Sequence, residues 1–289
     1  MTSGIPFRRV AIIGTGLIGG SFGLAVKREF PGISVVGFSH SGSAARALER
    51  QAVDEAAPDL AAAVHLAELV YIALPIGATI EALGAIARTA DPGAIVTDAG
   101  STKASVCRIA REHFRSGALF LGGHPMAGRE QSGIEHADAE LFRGAPYVLM
   151  GTEAAAEPRA RRFAELAQAI GARPVWCDPD THDWAVGIVS HLPQLVSIAL
   201  ARVVQDETDE TGLPLSLAGS GLQDTLRLAG SPYSIWRDIL LTNSDNIARA
   251  LDRLAQAIDY LRTNLASRDI EREFAGANEL YRQLRSGRS

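Results

Sequence analysis

Gly14-Thr-Gly16-Leu-Ile-Gly19 stands between a compact run of branched apolar residues, Val10-Ala-Ile-Ile13, and an apolar-periodic stretch from Leu17 to Arg28. The run reads as a strand and the stretch as a helix, so the glycines form the turn between them. Gly14 permits the tight turn. Gly16 removes a side chain where the backbone must approach a ligand, and Gly19 lets helix and strand pack closely. The open N–H groups of the helix start suit a phosphate. Strand, glycine loop and helix together are the fingerprint of a dinucleotide site, with Gly14, Gly16, Leu17, Ile18 and Gly19 as its candidate residues.

The pattern continues beyond the loop. Val35–Phe38, Leu69–Leu74, Ala94–Asp98 and Leu119–Leu121 read as further strands, separated by helical stretches such as Thr79–Ala90 and Thr102–His113. Strand–helix alternation implies parallel βαβ units, hence an α/β Rossmann domain with a doubly wound, mostly parallel sheet. Tyr147–Met150 and Pro174–Trp176 add strand signals around a helix at Pro158–Ile170. After Asp180 strand signals vanish and helical periodicity dominates. The expected division is residues 1–178 for the dinucleotide domain and 179–289 for an all-α substrate and dimerisation domain. In the latter, Ile247, Leu251, Leu254, Ile258, Leu261 and Leu265 recur at spacings of three and four. Ile270, Phe274, Ala277, Tyr281 and Leu284 form a second stripe. Such stripes pack two helices together or make a homodimer.

The 289 residues carry a net charge of −5, which argues against a nucleic-acid partner. Cys107 and Cys177 are too few for a disulfide framework or a zinc site of their own, so no metal is expected. The N-terminus lacks an apolar signal region. The most apolar stretch, Gly187–Val204, carries His191, Gln194 and Arg202 and reads as a poor membrane span. A cytoplasmic protein with a small-molecule substrate and no membrane partner is expected.

The second strand ends in Ser39-His40-Ser41 without the carboxylate that commonly binds the ribose of NAD. Ser39 and Ser41 offer hydroxyls to a 2′-phosphate, His40 a partial charge and Arg46 a guanidinium, so the loop favours NADP over NAD. Leu74-Pro75 would run under the nicotinamide ribose. Other polar segments fall where strands should end, at the ligand edge of such a sheet. Ser101, in Asp98-Ala-Gly-Ser-Thr-Lys103, is expected at or near a helix N-cap. His124, between glycines and a proline, is expected on a loop and is the candidate catalytic base. His191 precedes Pro193, which should kink its helix and could turn the ring toward the cleft. Arg227 and Arg237 are cation candidates for a carboxylate substrate.

GTGLIGGS, DAGSTK, GGHPMAG with Glu130 and Gly133, SHLPQ, GSGLQDTLRLAGSP and SIWRDI occur in this order. Together they resemble the prephenate/arogenate dehydrogenase family of tyrosine biosynthesis, over roughly residues 8 to 285. The resemblance implies a Rossmann domain, a helical domain that forms the dimer, and oxidative decarboxylation of prephenate or arogenate with NAD or NADP. It implies His124 as catalytic base, with Ser101 bonding the same substrate hydroxyl. Arg129, Glu130, His191, Gln223, Arg227, Trp236 and Arg237 are the candidate substrate residues. Gln223 departs from the family, which commonly has an arginine there for the ring carboxylate. Arg129, Arg227 or Arg237 would then compensate, and Arg129 favours prephenate, whose side chain has no ammonium group. Two other classes remain open. A β-hydroxyacid-type dehydrogenase would need a lysine in the C-terminal domain, and none follows Asp180. A non-catalytic dinucleotide-binding protein would not need both Ser101 and His124.

Overall fold

The computed structural model describes residues 7–129, 131–208 and 211–286. In chain order the first half runs β1 (Arg9–Ile13), α1 (Leu17–Glu29), β2 (Ser34–Phe38), α2 (Ser43–Glu49), β3 (Glu55–Ala56), α3 (Leu60–Val64), β4 (Leu69–Ile72), α4 (Ile76–Thr89), β5 (Ile95–Asp98), α5 (Ala104–His113) and β6 (Leu119–Leu121). The six strands form one parallel sheet in the order β3-β2-β1-β4-β5-β6, with the order reversing beside β1. That reversal opens a crevice at the strands' C-terminal ends, the usual ligand edge of a doubly wound sheet.

Both faces of the sheet are covered. Along β1, Val10 and Ile12 join a core with Phe22, Val26, Phe163 and Leu166, while Ala11 and Ile13 join one with Leu83, Ile86 and Val106. A strand buried on both sides is apolar throughout rather than alternating, which is why Val10–Ile13 is unbroken.

A second sheet follows: β7 (Gly123–Pro125), β8 (Pro146–Met150), then α6 (Pro158–Ala169) and β9 (Arg173–Cys177). β7 runs antiparallel to β8, and β8 parallel to β9. This corrects the expectation for His124, which lies on a strand paired with Val148 and not on a loop. Three residues with a glycine and a proline carry too little pattern to read as a strand. The glycine has a packing reason: a Cβ on Gly123 would come within 2.8 Å of the Asp98 carbonyl oxygen. β7 therefore lies directly against the end of β5.

From Pro179 the chain is helical: α7 (Pro179–Val186), a π turn (Gly187–His191), α8 (Leu192–Asp206), α9 (Leu213–Ser216), α10 (Ser220–Leu226), α11 (Tyr233–Thr242), α12 (Ser244–Thr263) and α13 (Ile270–Ser286). Pro193 does not break the helix. The π turn just before it absorbs the disturbance, and such turns cluster at functional sites. Pro179–Asp206 is consequently one rod of 28 residues, long and apolar enough by length and composition to cross a membrane. By length and composition alone, the stretch is therefore a better span than expected. Its inner face buries His182, Asp183, His191, Gln194 and Ser197. Its outer face leaves Trp184, Ile198 and Val203 exposed, as α12 and α13 leave Ile258, Phe274, Tyr281 and Leu284.

Candidate active site

Two adjoining clefts lie between the domains. One, of about 530 Å³, is lined by Gly16, Leu17, Ile18, Leu74, Pro75, Gly100, Ser101 and residues of α11. The glycines fit a dinucleotide here. Gly14 has φ +96°, and a Cβ on it would reach the Ala73 carbonyl oxygen at 2.4 Å. A Cβ on Gly19 would meet the Gly14 carbonyl oxygen at 1.9 Å, while one on Gly16 would meet nothing within 4 Å. The first and third glycines thus permit packing, and the second faces open space. Gly16 caps α1 without a side-chain partner for its first N–H groups.

Beyond β2 the hydroxyls form a cluster. Ser39 Oγ lies 2.9 Å from Ser41 Oγ, Ser43 donates to Ser39 at 2.9 Å, and Ser43 Oγ lies 2.8 Å from Thr15 Oγ1. His40 is exposed and edge-on to Phe38. Arg46 bridges to Glu135 at 2.6 Å.

The second cleft, of about 400 Å³, is lined by Ser101, His124, Arg129, His191, Gln194, Arg227 and Trp236, among others. Ser101 borders both clefts. It is not the N-cap of α5; Lys103 holds that position. The cap contacts come from the other domain. Asp183 accepts the N–H groups of Lys103 at 2.7 Å and Ala104 at 2.9 Å. An anion is favoured at this helix end.

The same carboxylate orients two imidazoles. His182 Nδ1 lies 2.8 Å from Asp183 Oδ1, and His182 Nε2 lies 2.8 Å from His124 Nδ1. A carboxylate only accepts, so His182 Nδ1 carries the proton and its Nε2 accepts. His124 Nδ1 must then donate, which leaves His124 Nε2 unprotonated. Beneath β7, Asp98 and Lys103 form a fully buried ion pair. Asp98 accepts the Gly123 N–H at 3.2 Å, and the Lys103 ammonium donates to the Gly123 carbonyl at 2.9 Å. This pair fixes the backbone beside His124.

Burial, then the neighbouring His182, Lys103 and His191, hold the His124 pKa well below the ordinary imidazole value. Burial likewise lowers His191 to about 4. Asn243 Nδ2 donates to the Asp183 carbonyl at 2.7 Å and lies 3.1 Å from His191 Nδ1. His191 therefore keeps its proton on Nε2. Trp236 stands edge-on to His191, with ring centres 5.8 Å apart.

Two expected substrate residues stand elsewhere. Gln223 is exposed on α10 and does not line the cleft. Arg237 pairs with Asp238 at 2.9 Å and also lies off the lining. Arg129 lines both clefts and is ion-paired with Asp138. Glu130 lies outside the described residues. The sequence reading missed His182, Asp183 and the Asp98–Lys103 pair. It also passed over Gln194, whose side-chain nitrogen is buried with no partner among the described residues. The only signal available for it was its place beside His191 and Pro193.

A family model described as "Prephenate dehydrogenase, nucleotide-binding domain" matches residues 22–176, and one described as "Prephenate dehydrogenase, dimerization domain" matches 178–284. The chain is 33% identical over 267 residues to prephenate dehydrogenase of Bacillus subtilis, covering 92% of this chain and 72% of that one. The structure of prephenate dehydrogenase from Aquifex aeolicus, in complex with hydroxyphenyl propionate and NAD+, aligns with a TM-score of 0.85 at 26% identity. That alignment covers 96% of this chain and 97% of that one. Synechocystis arogenate dehydrogenase aligns with a TM-score of 0.77 at 31% identity, over 97% and 98% of the two chains.

Proposed function

The chain belongs to the prephenate dehydrogenase family, and from that premise we propose how its own residues divide the work. The activity is NAD(P)-dependent oxidative decarboxylation of a cyclohexadienyl substrate in tyrosine biosynthesis. The bound nicotinamide accepts a hydride from the ring carbinol carbon. His124 Nε2 takes the carbinol proton, and Ser101 bonds the same oxygen from the wall between the clefts. The carboxylate then leaves as CO₂, its bonding electrons make the ring aromatic, and the proton returns to the phenol oxygen.

The observation that carries this reading is Ser101 lining both clefts with His124 in the second. An alcohol held by these two residues lies at the junction where a nicotinamide from the first cleft can reach it. Low proton affinity at His124 keeps the ring ready to accept at neutral pH. Neutral His191, through Nε2–H, and Gln194, through its unpartnered amide, orient the substrate, with Trp236 packing beside them. Arg227 and Arg129 supply positive charge for its carboxylates, in place of the arginine missing at Gln223. Arg129 points to prephenate over arogenate.

NADP is the preferred coenzyme in this reading. Support comes from the hydroxyl cluster of Ser39, Ser41 and Ser43, with Arg46, bridged to Glu135, in the following helix. A homodimer covers the apolar outer faces of α8, α12 and α13, which a water-exposed monomer would leave bare; the matched dimerization-domain model supports it. That assigns the apolar rod to a protein neighbour and not to lipid. One experiment tests the reading: prephenate and arogenate, each with NAD and NADP, followed by reduced-nicotinamide absorbance. The expected best pair is prephenate with NADP. No turnover with any pair would reject the reading.

A further inference from the structure

We propose that His182, backed by Asp183, holds the proton that His124 takes from the substrate, so that two linked imidazoles share the work of the base. The proposal rests on the reading of His124 above.

The reaction borrows a proton and does not release one. The carbinol O–H loses its proton as its carbon gives up a hydride. The phenol oxygen bears a proton again once the C–CO₂ bond has broken and the ring is aromatic. The proton must therefore be kept close to that oxygen and returned to it. His124 is a poor place to keep it. The ring is buried, and the nearby Lys103 ammonium opposes a second positive charge. No carboxylate contacts it among the described residues.

His182 is the better host. Its Nε2 is an acceptor 2.8 Å from His124 Nδ1, and its Nδ1 faces the Asp183 carboxylate at 2.8 Å. The Asp183 carboxylate also accepts the N–H groups of Lys103 and Ala104 at the start of α5. As the substrate proton reaches His124 Nε2, the proton on His124 Nδ1 passes to His182 Nε2. His124 is then neutral, and an imidazolium rests against a carboxylate. Reversing both transfers returns a proton to the phenol oxygen. No bond beyond these N–H bonds is made or broken in the relay. Neither His182 nor Asp183 lines the substrate cleft, and both are almost fully buried. The stored proton is shielded from water, and the two act as positioning residues through His124.

The surrounding groups favour the same direction. From the β5–α5 connection come Lys103 and Asp98, paired with each other. The π turn contributes His191, held uncharged by burial, and Asn243, at the N-cap of α12, contributes only its neutral amide. Arg129 and Arg227 line the substrate cleft. Among the described residues, the one carboxylate in direct contact with either imidazole is Asp183.

His182→Gln separates orientation from proton storage. Glutamine can accept from His124 Nδ1 and donate to Asp183, but it cannot hold a proton. The variant should lose about tenfold to a hundredfold in kcat, within the range of general acid–base effects, with KM changed less than about threefold. Its acid limb in kcat should move to lower pH, because His124 alone holds a proton less readily than the pair. An unchanged kcat and acid limb would overturn the proposal. A second measurement needs no variant: kcat of the parent enzyme in mixtures of H₂O and D₂O. Two protons moving together give a bowed dependence on deuterium fraction, whereas a straight line means one proton and overturns the relay. His124→Asn, run alongside, separates the two readings. If it loses activity while His182→Gln does not, the base stands and the relay falls. If His124→Asn stays within a few-fold of the parent, both fall.

Discussion

Asp238 Oδ2, on α11 of the helical domain, accepts the backbone N–H of Gly77 at 2.9 Å, in the first turn of α4 of the Rossmann domain. With Asp183 at the start of α5, it gives the C-terminal half two carboxylates that cap adjacent helices of the N-terminal half. The cleft is thereby held by the groups that satisfy the helix ends lining it.

Losing one of these caps should weaken the fold as a whole. Asp238→Ala is expected to cost about 1–2 kcal/mol, typical of a lost helix cap. The Gly77 N–H, helped by Arg237, holds the Asp238 carboxyl below its ordinary 3.8. A depressed carboxyl stabilises the fold above its unfolded value, and that contribution fades as pH falls through the folded one. Thermal unfolding of the coenzyme-free protein between pH 5 and pH 3 should therefore drop more steeply for the parent than for Asp238→Asn. Parallel curves would show that the charge is idle.

His124→Asn keeps a hydrogen-bonding side chain but removes the base, and kcat should fall by about 10²–10⁴ with a smaller rise in KM. Ser101→Ala should cost less, since it orients and does not carry the proton. The double variant should be no worse than His124→Asn alone, because the two act on one oxygen. Steady-state kinetics with substrate deuterated at the carbinol carbon checks that the chemical step is being read.

Ser39→Asp introduces a carboxylate where the hydroxyl cluster stands. It would repel a 2′-phosphate and accept from a 2′-hydroxyl, moving the ratio of kcat/KM toward NAD. The parent should use NADP at least as well as NAD. A parent preference for NAD of about tenfold or more would mean that the serine cluster has been misread.

Protonation of His191 is opposed by burial, which lowers its pKa from 6.5 to about 4. The unfolded chain therefore binds a proton that the folded one refuses between these values. Stability is full above pH 6.5 and declines toward pH 4, by on the order of 3 kcal/mol from this group alone. His124 acts in the same direction. His191→Gln should flatten the fall of the unfolding midpoint over this window; an unchanged slope would assign it to other groups.

Ile258, more than half exposed on α12, is a probe of the assembly. The parent should scatter light as a dimer at micromolar concentration, and Ile258→Glu should shift it toward monomer while lowering its unfolding temperature. A parent that scatters as a monomer would leave the apolar faces of α8, α12 and α13 without their assigned cover.

Much of this was legible in the chain because it is local. Gly14, Gly16 and Gly19 carry their meaning in their spacing, and the unbroken apolar run at Val10–Ile13 announces a strand covered on both sides. His124 and Ser101 stand out through the motifs around them. His182 and Asp183 do not. In Asp178-Pro-Asp-Thr-His-Asp183 they read as polar residues of a helix start, and only the fold brings His182 against a ring 58 positions earlier. The β7 strand was hidden because its order comes from pairing with Val148 and from contact with β5, neither of which a three-residue pattern records. Gln223 and Arg237 were drawn in by a motif whose neighbours do line the cleft, but their positions on α10 and α11 carry them past it.

The π turn at Gly187–His191 sets the angular phase of everything beyond it. A π turn accommodates about one residue more than an α turn, and one residue is about 100° of helix. Winding that turn as α with the residue kept would swing one part of the rod against the other by that angle. His182 and Asp183 lie before the turn, and Gln194 and Ser197 after it. All four are buried. The fold thus uses one surplus residue as a gear tooth: it lets one helix address the proton-bearing rings with its first half and the substrate with its second.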